Sequence, residues 1–312
     1  MPTLKVTIRG CDNGEEIVVH GPGAGVIRMG QDQVQGLMEP PVQTSWKAQG
    51  RGAGGVLKGK RTQWRDLSLG FHVLGGHDHA HWYSRFRTLF DYAEDDWDPD
   101  TAPARIIVES DLSGTRWIDV LLHEAPDFNP GIDPLVIGHG NPIIPLRAGN
   151  PYWQEDPTVT TWTTTESSGN GVVTVANPTP VPMRHKWIGT RGTWVLPDVS
   201  WTGEKGLRVP GVDKRSGRDD SARAILMPAI GAVEGGFKVD LDTSRHLMVR
   251  DAHDTNLLGR MPVPGRFFEH VIPPYTPPTD LPVSVTDAPD GGAMVQCVQP
   301  RQWPWPYGGE RL

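Results

Sequence analysis

The sequence predicts a mainly β chain of two domains in series. An N-terminal β-sandwich-like domain with one helix spans residues 1–147, and a second β-sandwich or jelly roll spans 148–312. Three observations lead there. First, 37 glycines and 30 prolines punctuate the 312 residues without a period, and short apolar strands lie between them, the pattern of turns in an all-β fold. Second, one stretch alone has a sustained helical period. Third, residues 143–153 (IIPLRAGNPYW) set a short apolar strand against a Gly-Asn-Pro break near the midpoint of a chain long enough for two cores.

Residues 4–9 (LKVTIR) alternate as a strand, an Asn-Gly turn follows in 11–14, and 16–20 (EIVVH) return, which predicts an opening hairpin. Residues 21–25 (GPGAG) form a loop. Residues 43–65 are Gly-rich and basic, with Lys47, Arg51, Lys58, Lys60, Arg61 and Arg65 and no acidic residue. They read as a flexible loop able to face an acidic partner surface. Residues 66–73 (DLSLGFHV) alternate as a strand. Residues 78–95 predict the helix: Asp78 can cap it, and Trp82, Phe86, Leu89, Phe90 and Ala93 recur along one face. The acidic run 94–100, with Pro99 as breaker, ends it. Residues 104–109 and 115–123 make a second hairpin about a Ser-Gly turn.

Residues 126–150 are turn-rich and hold the strand 143–146, and the domain boundary falls there. Beyond it, strands are expected at 159–165, 172–176, 184–189, 194–199, 224–227, 237–241, 246–250, 267–271, 283–286 and 293–298. Residues 262–289 hold eight prolines and read as an extended connection rather than a ladder.

A formal net charge of −7 gives no footing for nucleic acid. Cys11 and Cys297 cannot build a zinc site alone and read as reduced, partly buried thiols. The N-terminal MPTLKVTIRG lacks the apolar core of a signal peptide, and no apolar run approaches the ~20 residues that span a bilayer, so neither secretion nor membrane insertion is expected.

Motif by motif, chemistry is not expected. Residues 54–60 (GGVLKGK) follow part of a P-loop spacing, but Arg61 stands where Ser or Thr must hold Mg²⁺, and no helix is predicted next. His77, His79 and His81 would share a face on a strand and could ligate a metal. On the predicted helix they splay apart, and no carboxylate or cysteine completes the set. The acidic run lacks the central Gly and distal Glu of a calcium loop. Asp240-Leu-Asp242 has the letters of a phosphatase nucleophile motif but reads as a strand end and turn. No GxSxG elbow exists. No catalytic residue, cofactor or metal is therefore expected. Of the twelve tryptophans, Trp187, Trp194 and Trp201 fall near strands and read as core. Trp303 and Trp305, in the terminal WPWPY, either fold back over an apolar edge or dock on a neighbouring subunit.

These pieces together resemble the distal tail proteins of long-tailed (siphovirus) bacteriophages, the minor tail proteins of actinobacterial phages. The resemblance is carried by the opening hairpin and by TRWIDVLLHEAPD at 115–127, PLRAGNPYW at 145–153 and NPTPVPMRHKWIGTRGTWVLPDV at 177–199. VDLDTSRHLMVRD at 239–251, RFFEHVIPP at 266–274 and the closing PRQWPWPYGG complete it. Their order and spacing cover nearly the whole chain.

The resemblance implies a belt domain followed by a galectin-like or jelly-roll domain. It implies six copies closing into a ring at the end of the tail tube. Neighbours would be the tail tube protein, the tape measure protein, the tail-tip hub and other minor tail proteins. Its place would be the virion, after assembly in the host cytoplasm. A host cell-envelope glycan is a further candidate partner. The resemblance transfers no catalytic residue. From the residues themselves, the candidate contacts are Lys47, Arg51, Lys58, Lys60, Arg61, Trp303 and Trp305. Two competing readings stand beside it: a carbohydrate-binding module for a bacterial envelope glycan, and a β-sandwich glycan hydrolase.

Overall fold

The computed structural model describes residues 3–11, 14–50, 53–93, 102–128, 130–242 and 248–310. The fold is mainly β, 48% strand and 7% helix. It divides into two compact units. Unit 1 is Met1–Glu155 with Trp303–Gly309, and unit 2 is Asp156–Gln302 with Glu310–Leu312. The chain thus leaves unit 1 later than the 147/148 boundary read from the sequence, and it comes back.

Unit 1 holds β1 (Leu4–Arg9), β2 (Glu16–His20), β3 (Ile27–Gln35), β4 (Val42–Ala48), β5 (Gly55–Thr62), β6 (Arg65–Val73), α1 (His79–Arg87), β7 (Ala104–Ser110), β8 (Gly114–Leu122), the single turn α2 (Pro134–Ile137) and β9 (Ile143–Ala148). Neighbouring strands run antiparallel in the order β2-β1-β7-β8-β9-β6-β3. β8 serves two sheets, since Ala104–Ser110 pairs along most of it while Leu121 and Leu122 pair with Arg147 and Leu146. Alternating side chains of these strands, among them Ile8, Leu69, Phe71, Ile106, Ile118 and Leu146, are buried in one core.

α1 lays Phe86 against Phe71, ring centroids 4.9 Å apart. It is half the predicted length. A 3₁₀ turn (Gly76–Asp78) precedes it, and Asp78 caps it without a side-chain hydrogen bond. The helix stops because later backbone groups have better partners. The Leu89 carbonyl accepts from Cys11 N, the Asp91 carbonyl accepts from Leu122 N, and the Thr88 hydroxyl bonds back to the Arg85 carbonyl. Leu89 and Phe90 are still buried, but Ala93 is exposed. The acidic run lies outside the described residues. Gly138 ends α2 at φ 66°, and a Cβ there would stand 2.6 Å from Gly76 Cα.

The next strand, β10 (Trp153–Thr164), starts in unit 1, where Gln154 pairs with Trp117, and continues into unit 2. There follow β11 (Gly169–Asn177), β12 (Lys186–Gly189), β13 (Thr193–Pro197), β14 (Trp201–Thr202), β15 (Val209–Pro210), β16 (Ala224–Leu226), β17 (Phe237–Asp240), β18 (Val249–Asp251), β19 (Thr276–Thr286) and β20 (Ala293–Trp303). One sheet has the order β18-β17-β12-β20-β10 and the other β11-β19-β13-β16; β14 and β15 form a small ribbon. Trp187, Phe237, Val239, Val295 and Cys297 from the first sheet and Val173, Val175, Trp194, Leu196, Val283 and Val285 from the second form one core. Trp187, Trp194 and Trp201 are core residues, as read from the sequence, Trp201 at its edge with 9% exposure.

Two expectations fail here. Residues 267–271 form no strand; only Ile272 bridges to Met183. The proline-rich stretch does contain a ladder, β19, from Thr276. Its prolines fit because β13 joins only at Ser284–Thr286, so residues before that have β11 alone beside them. A register shift opposite Val175/Asn177 leaves Pro277 and Pro278 outside the ladder.

Several polar side chains in unit 2 are buried with partners. Asn177 Nδ2 donates toward the Val181, Ile272 and Pro273 carbonyls, and its Oδ1 accepts from Thr179. Gln299 accepts from Ala176 N and donates to Thr160 and the Thr174 carbonyl. His185 differs. It is buried edge-on to Trp187 with neither ring nitrogen hydrogen-bonded, and burial pushes its pKa down to about 4 from 6.5. The unfolded chain therefore binds the proton first as pH falls. Stability from neutral His185 is present above pH 6.5 and is lost as pH falls toward 4, by at most about 1.4 kcal/mol per pH unit. Urea unfolding of unit 2 followed by tryptophan fluorescence is expected to show that slope, and His185→Leu to flatten it.

Candidate interaction surface

β4 and β5 form a two-stranded hairpin that pairs with no other strand among the described residues. The predicted flexible loop is therefore an ordered arm. Trp46 pairs with Leu57, Lys47 with Val56, Thr44 with Lys60 and Gln43 with Arg61, and a bulge falls between Ser45 and Trp46. Paired residues share a face. One face carries Val42, Thr44, Trp46, Leu57 and Lys60, and the other carries Lys47, Val56 and Arg61. Every residue of β4 is exposed, as is all of β5 but Thr62. Trp46 is 62% exposed, and Val42 and Leu57 are each 48% exposed. The Trp46 indole donates to Thr44 Oγ1 at 3.1 Å, along the apolar face. Lys47, Lys58, Lys60 and Arg61 stand on this arm, while Arg51 lies outside the described residues.

The arm is anchored at its base. Gln63 N donates to the Pro41 carbonyl, and Tyr152 Oη donates to Thr62 Oγ1 at 3.0 Å. Beside it, a cavity of about 410 Å³ is lined by Arg61, Trp64 and Arg147 among others. The Arg147 guanidinium lies 5.1 Å from the Trp64 ring centroid and makes two hydrogen bonds to Asp66, at 2.6 and 3.0 Å. Those bonds hold Asp66 below the ordinary carboxylate pKa. The apolar residues Val42, Trp46 and Leu57 were missed in the sequence reading. Their signal was present: VQTSWKA alternates Val42, Thr44, Trp46 with Gln43, Ser45, Lys47.

The C-terminal tryptophans are placed differently from a docking motif. Trp303 is 3% exposed in the unit 1 core. Its indole donates to Glu155 at 2.8 Å, and the Arg116 guanidinium lies 3.8 Å from its ring. Trp303 offers no surface to a partner, which corrects its place among the candidate contacts. Trp305 is half-buried and donates to Glu39 at 3.0 Å. Two buried arginines hold the segment: Arg116 donates to the Trp305 and Gly308 carbonyls, and Arg65 donates to those of Gly36, Leu37, Pro151 and Pro304. Desolvation lowers the Arg65 pKa to about 10, against the opposing pull of Glu39.

The histidines do not converge. His79 is buried, His77 and His81 are exposed, and His72 pairs instead with His139 at 3.1 Å. Among the described residues no three His, Cys, Asp or Glu side chains are grouped to hold a metal. Asp240 ends β17, ion-paired to Lys186 at 2.8 Å. Among the described residues no helix is long and apolar enough to cross a membrane.

No family model matches this sequence, and no curated protein matches it. Solved structures with similarity include the SPP1 Dit (gp 19.1) protein, described as a paradigm of hub adsorption apparatus in Gram-positive infecting phages. It is 9% identical, with 95% of this chain and 98% of that chain covered and a TM-score of 0.49. A chain of the phage P2 baseplate in its activated conformation with Ca is 10% identical, with 96% and 98% covered and a TM-score of 0.47.

Core placement of the C-terminal segment makes it a stability element. Trp303→Ala is expected to cost about 3–5 kcal/mol in urea unfolding. Arg65→Met, which strips donors from buried carbonyls, is expected to cost about 2–4 kcal/mol. Near-parental stability in both would return Trp303 to the surface.

Proposed function

We propose that this chain is a structural virion protein of a phage tail tip. In this reading unit 1 closes with copies of itself into a ring that joins the tail tube to the tip or baseplate and supports host-attachment proteins. The observation that carries it is the β4–β5 arm. A hairpin alone in water is marginally stable, and this one exposes Trp46, Val42 and Leu57 on one face and leaves its strand edges unpaired among the described residues. Exposed edges and an apolar face are hazards unless assembly covers them.

An arm reaching from one part of a subunit to a different part of the next makes a heterologous contact, and such contacts close into rings when the rotation closes. The basic side chains Lys47, Lys58, Lys60 and Arg61 complement a chain whose net charge is −7. The sequence resemblance supplies the finer terms: six copies, with the tail tube protein, the tape measure protein and the tail-tip hub as neighbours. The chain acts by surface complementarity, and no bond-making step is assigned to it.

Electron microscopy of phage particles labelled with an antibody to this chain is expected to place label at the junction of tube and tip. The Trp46→Ser/Leu57→Ser variant is expected to unfold within about 0.5 kcal/mol of the parent, as surface changes do, while tails lack a completed tip. Label elsewhere on the particle overturns the tail-tip reading. Normal tails with the double variant overturn the role of the arm.

A further inference from the structure

Unit 2 contains a cavity that the assembly role does not use. It has a volume of about 350 Å³ and opens beside the β14–β15 ribbon, between the loop that follows it and the segment 269–274. Trp201, Pro182 and Pro273 contribute apolar wall, and Arg208, Lys214, Arg215 and His270 contribute polar groups. That is a volume and lining suited to one small organic ligand.

The acidic groups at this cavity are already engaged. Glu269 is ion-paired to Arg218 and Arg223, at 3.2 and 3.3 Å. Asp213 accepts from Arg215 N at 2.9 Å and from Ser216 Oγ, and so closes its own loop. The cations are less committed. Among the described residues Arg208 donates only to the Pro274 carbonyl and meets no carboxylate, and Lys214 has no ion-pair partner. Burial first, and then the Arg215 guanidinium, hold Arg208 below its ordinary pKa. Cations that repel one another around a cavity are relieved by an anion.

The cavity wall is also rigidly supported. Asp198, with its side chain fully buried, accepts from Glu269 N and His270 N and pairs with Arg223 at 3.0 Å. The His270 imidazole bonds to Asp220 at 2.9 Å, and Asp220 is ion-paired to Arg218 at 2.9 Å. Asp198 thus fixes the backbone that presents Glu269 and His270, and Asp220 fixes the ring of His270. A site held by a shell of this kind is formed before its ligand arrives.

We infer that this cavity binds an anionic sugar, with Arg208 and Lys214 on its phosphate or carboxylate group and the Trp201 wall against its ring. The inference stands apart from the tail-tip reading, because it concerns a cavity within unit 2 and is tested on the isolated full chain.

Isothermal titration calorimetry at low salt with glucose 1-phosphate, glucuronate, glucose and inorganic phosphate tests it. Saturable binding of glucose 1-phosphate or glucuronate is expected, and the tighter of the two identifies the anionic group. Glucose and inorganic phosphate are each expected to bind at least about tenfold more weakly, since each lacks half of the recognised chemistry. Arg208→Gln/Lys214→Gln is expected to lower the affinity about tenfold or more. Lys214→Gln alone, an exposed change that leaves the Arg208–Pro274 hydrogen bond in place, is expected to lower it about threefold with an unchanged unfolding midpoint. The inference is overturned by no saturable binding of either anionic sugar up to about 10 mM. Glucose or inorganic phosphate matching the anionic sugars overturns it as well, as does affinity undiminished in the Lys214 variant.

Discussion

Unit 1 depends on two buried guanidinium groups that donate to backbone carbonyls. Arg65 is solvated by four backbone carbonyls and Arg116 by two carbonyls and an indole face. Lysine could not replace either, because its compact ammonium lacks the planar fork of five donors that reaches several acceptors at once. Even with its pKa lowered to about 10, Arg65 is cationic at neutral pH, so the carbonyls always face a charge. The constraint reaches well beyond these side chains. Residues 303–309 must be delivered to unit 1 after the whole of unit 2 has been traversed. The Trp303 indole then bonds Glu155, the last residue of the first pass. Unit 1 is complete only with the C-terminus in place, which gives it contacts of very long sequence separation and predisposes it to slow folding.

That architecture was only partly legible. The local hairpins were readable because turn chemistry and period-2 alternation agree, as in residues 4–20 and 104–123, now β1–β2 and β7–β8. The tryptophans of unit 2 were readable as core because they sit on alternating strands. The returning segment was not, since nothing in WPWPYGG says which surface it covers; the answer lies in Arg65 and Arg116, far away in sequence. Helix α1 was overextended for the same reason. Phe86, Leu89 and Phe90 keep helical spacing, but the carbonyls of Leu89 and Asp91 are taken by Cys11 and Leu122. Proline density was misleading in β19, where one-sided pairing tolerates what a central strand would not.

The arm shows how a strand pair can hide in a sequence. Burial is what usually makes alternation visible, and β4–β5 buries almost nothing. Its glycines and cations imitate a disordered loop, while Val42, Trp46 and Leu57 lie on one face only once the Trp46–Leu57 register and the bulge beside it are known. The cations Lys47, Lys58, Lys60 and Arg61 could be named as candidates from the sequence because charge needs no register to be noticed. The apolar side chains Val42, Trp46 and Leu57 could be gathered onto one face only once the strands were paired. Trp64, stacked by Arg147 at the base of the arm, belongs to the same class, since aromatic and arginine residues together are the usual composition of a contact hot spot.

The two units handle buried polarity in different ways, and this bears on where function can lie. In unit 2, Asn177, Gln299 and Asp198 are each supplied with several partners, so these groups specify a single arrangement of loops and strands instead of merely being tolerated. His185, kept neutral by burial alone, and the neighbouring Trp187 indole N–H are exceptions. A frame held by these bonds has little freedom to rearrange on binding. Whatever the unit recognises must fit the surface it already presents. Unit 1 instead places charge against carbonyls, and extends from that frame an arm that pairs with no further strand among the described residues. A rigid base with an unsupported apolar extension is stable as a subunit only because the extension contributes little to the core. In the proposed ring, that separation lets the arm pass from water to a neighbouring surface without refolding the body that carries it.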